Sequence, residues 1–328
     1  MSNLLWIQSG GCGGCAQSTL LQPELLSRFD ALGINILWHP ILTNSTGVDF
    51  WDLIEQVLTG AKKLDYLCVE GAVLTASGGL AHQISKGGKE KSPMSDLIKD
   101  LTALAGDVIA VGSCTAFGGM SAIGSNPAGA MGLQYDNKNF GGFLGREFRS
   151  KSGRPVINLG GCAIHPGWFA DCLSELYFES LQLDELNRPL FYTSSLVHHG
   201  CPRNEFYEYK ASALAPNNMG CLMENYGCKA TQAQGDCNIR LWPGGGSCLR
   251  GGYSCIACTS PNFQNPGHPY LETPKVAGIP STLPTDMPKA WFVALSSLAK
   301  AATPERVKKG SNRPSVVQVA KQTKDNIR

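Results

Sequence analysis

The chain has 328 residues, 43% of them apolar, which is ample for a buried core and long enough for two domains. A net charge of +2 and only 16% charged residues exclude the strong single-sign field that would make nucleic acid or an anionic surface the main partner. No run of about 18 or more apolar residues occurs, so no membrane span is expected.

The first apolar run, Leu4 to Gln8, follows the N-terminus directly, with no basic segment or small-residue cleavage site before it. A cytoplasmic location is therefore expected. In that reducing compartment thirteen cysteines favour metal ligation over disulfides.

Up to about residue 180, short apolar runs alternate with helix-period segments. Leu4 to Gln8, Ile34 to Trp38, Leu64 to Val69, Val108 to Val111 and Val156 to Leu159 read as buried strands. Gln17 to Leu32, Asp49 to Thr59, Pro93 to Leu104 and Gly167 to Leu181 read as helices. This βαβ texture predicts an α/β fold, a flavodoxin-like doubly wound parallel sheet whose ligands lie beyond the carboxyl ends of the strands. Cys12 and Cys15 follow the first strand, Cys114 the fourth and Cys162 the fifth, while Glu70 ends the third. Four thiols thus come from three strand ends that one sheet brings together.

From about residue 185 glycine-rich turns and further ligand residues replace the alternation. His198, Cys201, Cys221 and Cys228 form a second candidate set, and Cys237, Cys248, Cys255 and Cys258 a third. Such a segment reads as an irregular domain whose fold is set by metal binding. Cys68, inside a strand, and Cys172, inside a helix pattern, read as small buried hydrophobes. Three domains follow: 1–184, 185–302 and a basic tail, 303–328. That tail has seven Lys or Arg against two Asp or Glu and reads as solvated and flexible.

Sets of four soft ligands suit iron-sulfur clusters. The rival is zinc, since the Cys-x-x-Cys pairs at 12–15 and 255–258 would serve a zinc-stabilised binding module equally well. Against zinc, the first set is dispersed over three strand ends, whereas zinc knuckles are compact.

The ordered motifs Ser9-Gly-Gly-Cys-Gly-Gly-Cys15, Val69-Glu-Gly-Ala-Val73, Val111-Gly-Ser-Cys-Thr115, Gly160-Gly-Cys-Ala-Ile-His-Pro166, His198 to Asn204, Gly220 to Lys229 and Cys255-Ile-Ala-Cys258 resemble the small, electron-transferring subunit of NiFe hydrogenases over nearly the whole length. The resemblance implies a heterodimer whose nickel-iron centre lies on a large partner subunit, with no catalytic residue on this chain. It implies a proximal 4Fe-4S cluster on Cys12, Cys15, Cys114 and Cys162. A distal 4Fe-4S cluster would take His198, Cys201, Cys221 and Cys228, the His-x-x-Cys spacing favouring His198 over His199. A medial cluster would take Cys237, Cys255 and Cys258. Many relatives have proline, and hence a 3Fe-4S medial cluster, where this chain has Cys248, so a third 4Fe-4S cluster is expected here.

Gly14 and Gly119 stand where oxygen-tolerant relatives carry extra cysteines, implying an ordinary proximal cube. The spacing between Cys221 and Cys228 is one residue longer than usual. Glu70 reads either as a contact with the large subunit or as a helix cap, and His165 as a residue orienting the proximal site. Stretches at 196–201, 221–225 and 273–291 look most like the cytoplasmic hydrogen-sensing subgroup. That subgroup implies a sensor histidine kinase as a further partner and a dimer of heterodimers. The contrasting role is a soluble, energy-conserving uptake enzyme.

Overall fold

The computed structural model describes residues 1–45, 47–86, 90–264 and 272–314. By internal contacts the chain divides into two units. The first comprises Met1–Ser195 with Gln234–Asp236 and Ala257–Pro266, and the second comprises Leu196–Ala233 with Cys237–Ile256 and Gly267–Arg328.

The first unit is built on five parallel strands, β1 (Ser2–Gln8), β2 (Ile34–Trp38), β3 (Tyr66–Glu70), β4 (Asp107–Val111) and β5 (Ile157–Leu159). Their order, β5-β4-β3-β1-β2, is the flavodoxin order with its switch point between β1 and β3. Register sets Gln8 opposite Glu70 and Glu70 opposite Val111, so the strand ends carrying the first thiol set are level. Every residue of β3 and β4 is buried, as expected for central parallel strands covered on both faces.

Helices α1 (Gly14–Thr19), α2 (Leu25–Ala31), α3 (Gly47–Leu58), α4 (Met94–Leu104) and α6 (Pro166–Tyr177) fall close to the predicted segments, and a further short helix, α5 (Ser113–Phe117), follows β4. One segment differs. The helix expected from Gln17 to Leu32 is two helices, because Pro23 lacks an amide donor and disfavours helical backbone in the residue before it. The second of these starts from Glu24 in the left-handed region at φ 59°. On one face Leu5, Leu67, Val69 and Val108 join Ile98 and Leu101 of α4 and Ile54 and Val57 of α3 in the main core. On the other, Trp6 is fully buried, its ring 4.9 Å from His39 and 5.2 Å from Phe169 of α6. Cys68 and Cys172 are fully buried, as read from their patterns.

After α6, regular structure is sparse. A short helix α7 (Leu190–Thr193) closes the continuous part of the first unit. The segments at 234–236 and 257–266 belong to that unit through polar anchors. Arg188, 1% exposed, pairs with Asp184 at 2.7 Å and donates to Thr259 O at 3.0 Å and to Gln234. Trp168 Nε1 donates to Asp236 at 2.6 Å.

The second unit holds helices α8 (Asn204–Glu208), α9 (Lys289–Ala302) and α10 (Glu305–Ser311) and a two-stranded ribbon, Lys275–Val276 with Ile279–Pro280. Side chains satisfy much of its loop backbone: Thr231 donates to Thr282 O, Gln232 to Leu283 O and Asn238 to Val197 O. The stretch read as a flexible tail begins with α10, whose Val307 is 1% exposed and whose Arg306 pairs with Glu205. Residues 315–328 of that stretch lie outside the described residues. No helix among the described residues is long and apolar enough to cross a membrane.

Burial lowers the pKa of His39 from the ordinary 6.5 to about 4. Its Nδ1 accepts from the amides of Ile41 and Leu42 at 3.2 and 3.3 Å, which also favours the neutral ring. Between these values the unfolded chain binds the proton first, so stability is complete above about pH 6.5 and falls as pH drops toward 4. The loss is roughly 3 kcal/mol at most. Replacing His39 by Asn should flatten this part of the melting temperature against pH profile.

Candidate metal centres

The switch point of the sheet is occupied by a carboxylate. Glu70 is 3% exposed, and its Oε1 accepts from Cys15 N at 2.8 Å. Its Oε2 accepts from Ala16 N and from Trp6 Nε1, both at 3.2 Å. It therefore caps α1 from across the sheet, which agrees with the helix-cap alternative, and it locks the Cys12–Cys15 loop onto β1 and β3. Burial raises its pKa, against the three N–H donors that lower it. His165 accepts from Gly167 N at 3.1 Å through Nδ1, capping α6 directly after Cys162.

The fold brings Cys12 and Cys15 each into electrostatic reach of Cys114 and Cys162. Burial pushes the Cys162 thiol up to about 11 and raises Cys15 and Cys114 as well. Opposing it, the Cys114 sulfur accepts from the amides of Met120 and Ser121 and from the Ser121 hydroxyl, and the Cys15 sulfur from the amide of Ile164. These donors favour thiolate, and a bound cation would complete what they begin. Ser113 ties β4 to its surroundings: its Oγ accepts from Gly161 N at 2.8 Å and donates to Cys258 O.

Glycine shapes the space between the sulfurs. A Cβ on Gly112, at φ +87°, would stand 2.5 Å from Cys15 Sγ. One on Gly119, at φ +53°, would stand 2.8 Å from Cys114 Sγ, so the backbone at this position has no room for an added cysteine.

In the second unit, Cys201, Cys221 and Cys228 face one another. Each sulfur accepts from the amide two residues on: Arg203 N at 3.4 Å, Met223 N and Ala230 N. Burial still pushes Cys201 up to about 11 and Cys221 to about 12. His198 lies in a short 3₁₀ turn, Val197–Gly200, with its ring 4.3 Å from that of Tyr207. Burial is the main reason its pKa is lowered, leaving a neutral imidazole able to ligate a metal. His199 is exposed, and its Nδ1 accepts from Leu196 N.

Of the third set, Cys237, Cys248 and Cys255 belong to the second unit and Cys258 to the first. Cys228 lies within electrostatic reach of Cys248 and accepts from Cys255 N, so the second and third sets are joined through one sulfur.

Among the described residues, no three His, Cys, Asp or Glu donors close on one point as a single metal ion requires. Zinc needs four donors about 2.3 Å or less from its centre. A four-iron cube takes each thiolate on a separate iron. Thiols that meet N–H donors, with glycine at the close approaches of the first set, suit such a cluster.

Comparison with known proteins decides the same way. Residues 193–271 match the family model for the C-terminal part of the NiFe/NiFeSe hydrogenase small subunit. Residues 12–176 match the NADH ubiquinone oxidoreductase 20 Kd subunit family. The chain belongs to the NiFe/NiFeSe hydrogenase small subunits. It is 28% identical over 305 residues to the F420 non-reducing hydrogenase I small subunit of Methanosarcina mazei, covering 83% of this chain and 76% of that protein. It is 28% identical to the periplasmic [NiFe] hydrogenase small subunit 1 of Nitratidesulfovibrio vulgaris, covering 83% and 82%. Among solved structures, the actinobacterial-type NiFe hydrogenase of Ralstonia eutropha superposes with TM-score 0.75 at 26% identity, covering 92% of this chain and 89% of that one. The [NiFeSe] hydrogenase of Desulfovibrio vulgaris Hildenborough gives 0.72 at 25%, covering 83% and 97%.

As a hydrogenase small subunit, the protein pairs with a NiFe large subunit and holds iron-sulfur clusters for electron transfer. Sequence reasoning assigned no role to Ser113, Ser121, Gly112 or Arg203. Gly112, Ser113 and Arg203 lie inside the motifs that carry the family resemblance, but only the folded contacts show what they do. A Gly112→Ala variant should lose the iron of the first site, roughly four atoms per chain, because the added methyl enters the sulfur's position. Iron analysis against wild type reads this directly.

Proposed function

We propose that this protein holds three four-iron sites and serves a cytoplasmic hydrogen-sensing hydrogenase. The observation that carries the electron-relay part is the first thiol set, in which Cys12 and Cys15 each lie within electrostatic reach of Cys114 and Cys162 at the β1/β3 switch point. In this reading Cys12, Cys15, Cys114 and Cys162 hold the proximal cluster. His198, Cys201, Cys221 and Cys228 hold the distal one, and Cys237, Cys248, Cys255 and Cys258 the medial one. When bound, the clusters accept and release single electrons derived from hydrogen at the partner's nickel-iron centre. The residues of this chain exclude water, orient sulfurs with N–H donors and fix the surrounding charge.

Cys248 as a fourth medial ligand is supported by its position seven residues before Cys255. The purified heterodimer should then contain about twelve irons on this chain, from three cubes of four. Replacing Cys248 by Pro should lower this to about eleven and produce a three-iron EPR signal. Wild type with about eleven irons would refute the assignment.

The sensing role is supported by the stretches at 196–201, 221–225 and 273–291, and it brings a sensor histidine kinase and a pairing of two heterodimers with it. Because α10 is packed through Val307, the informative truncation leaves it intact and ends after Pro314. We expect dye reduction by hydrogen to persist and association with the kinase to be lost. Retained association would remove the tail from the docking surface. High turnover with a soluble acceptor and no kinase partner would favour the uptake role instead.

A further inference from the structure

Arg203 is a buried charged group among the thiols of the second unit. It is 6% exposed, and its side chain is held by backbone carbonyls. Nη1 donates to Asn218 O at 2.6 Å and to Gly220 O at 2.7 Å, while Nε donates to Leu249 O at 3.4 Å. Its own amide donates to Cys201 Sγ.

These contacts clamp three ligand-bearing loops. Gly220 precedes Cys221, Leu249 follows Cys248, and Arg203 itself lies two residues beyond Cys201. Cys201, Cys221 and Cys228 all lie in the field of the guanidinium. Among the described residues, no carboxylate bonds the guanidinium or shares its field. Carbonyl oxygens solvate the cation without neutralising it, and arginine stays protonated even where burial opposes its charge. A buried monocation therefore lies within electrostatic reach of three sulfurs that carry negative charge when ligated.

We propose that Arg203 is a fixed countercharge that raises the reduction potential of the cluster at His198, Cys201, Cys221 and Cys228. The proposal rests on the ligand assignment under Proposed function. Reduction at this site places one further electron among three thiolates, with the electron supplied by hydrogen oxidation or, in a titration, by dithionite. A cation held nearby stabilises the reduced form more than the oxidised form, and low local polarity keeps it from being screened. The outer neighbour Lys210 acts in the same direction more weakly. It lies 4.0 Å over the Tyr207 ring, but Glu208 and Glu224 share its field. Arg203 is thus a positioning residue by its carbonyl clamp and an electrostatic one by its charge.

The test is a potentiometric EPR titration of the whole heterodimer, with the second site recognised by nitrogen coupling from His198. Arg203→Gln should lower that site's reduction equilibrium constant about tenfold, ~59 mV for one electron, and leave the first site unmoved. Arg203→Lys, which keeps the charge and loses the fork, should stay within about threefold of wild type. The proposal is overturned if Arg203→Gln with full iron content titrates within threefold of wild type, or if Arg203→Lys moves as far as Arg203→Gln. Should Arg203→Gln lose the second-site iron, the neutral Arg203→Met takes its place: a fall of about tenfold supports the proposal, and a value within about threefold of wild type overturns it. A wild type without the nitrogen-coupled signal would remove the ligand assignment itself, and the proposal with it.

Discussion

The first unit depends on the buried carboxylate of Glu70. A carboxylate in a dry interior is costly unless its oxygens are hydrogen-bonded. Three N–H donors supply those bonds, two from the loop that carries Cys12 and Cys15 and one from Trp6. The same contacts fix where the first pair of thiols stands relative to β1 and β3. Because the strand ends are in register, fixing one loop there places it against Cys114 and Cys162. The close approach is possible only where side chains are missing, as at Gly112 and Gly119.

A single electrostatic conflict recurs at the thiols. Burial favours neutral sulfhydryls, whereas ligation needs thiolates. The fold answers part of that conflict with N–H donors aimed at sulfur, from Ile164, Met120 and Ser121 in one unit and from Arg203, Met223 and Ala230 in the other. Iron would answer the remainder, which makes metal binding part of the folding free energy of these loops. That also accounts for how little regular structure lies between Leu196 and Ile256. Short turns hydrogen-bonded by side chains suffice where a metal cluster can tie the ligand loops together.

Much was legible in the chain. Buried parallel strands are nearly continuous apolar runs, so all five were visible, and the rule that ligands lie at their carboxyl ends pointed to Cys12, Cys15, Cys114 and Cys162 as a set. The break at Pro23 was legible in principle, since the helix period runs through a residue that cannot continue it. The start of the basic tail was misleading for a different reason: charge dominates residues 303–314, but the one buried side chain of α10 in its interior, Val307, holds that helix in place.

The sequence by itself determined the family, the sheet and the identity of the candidate ligands, because these are carried by residue type, period and spacing along the chain. Tertiary structure alone decided what surrounds those ligands. That Glu70 caps α1, that Ser113 braces the first site and that Arg203 reaches the carbonyls of Gly220 and Leu249 in the second unit depends on contacts between residues apart in sequence. Such contacts leave no local period or spacing from which to read them. The electrostatic setting of the clusters is therefore a property of the fold, although the clusters' ligands are a property of the sequence.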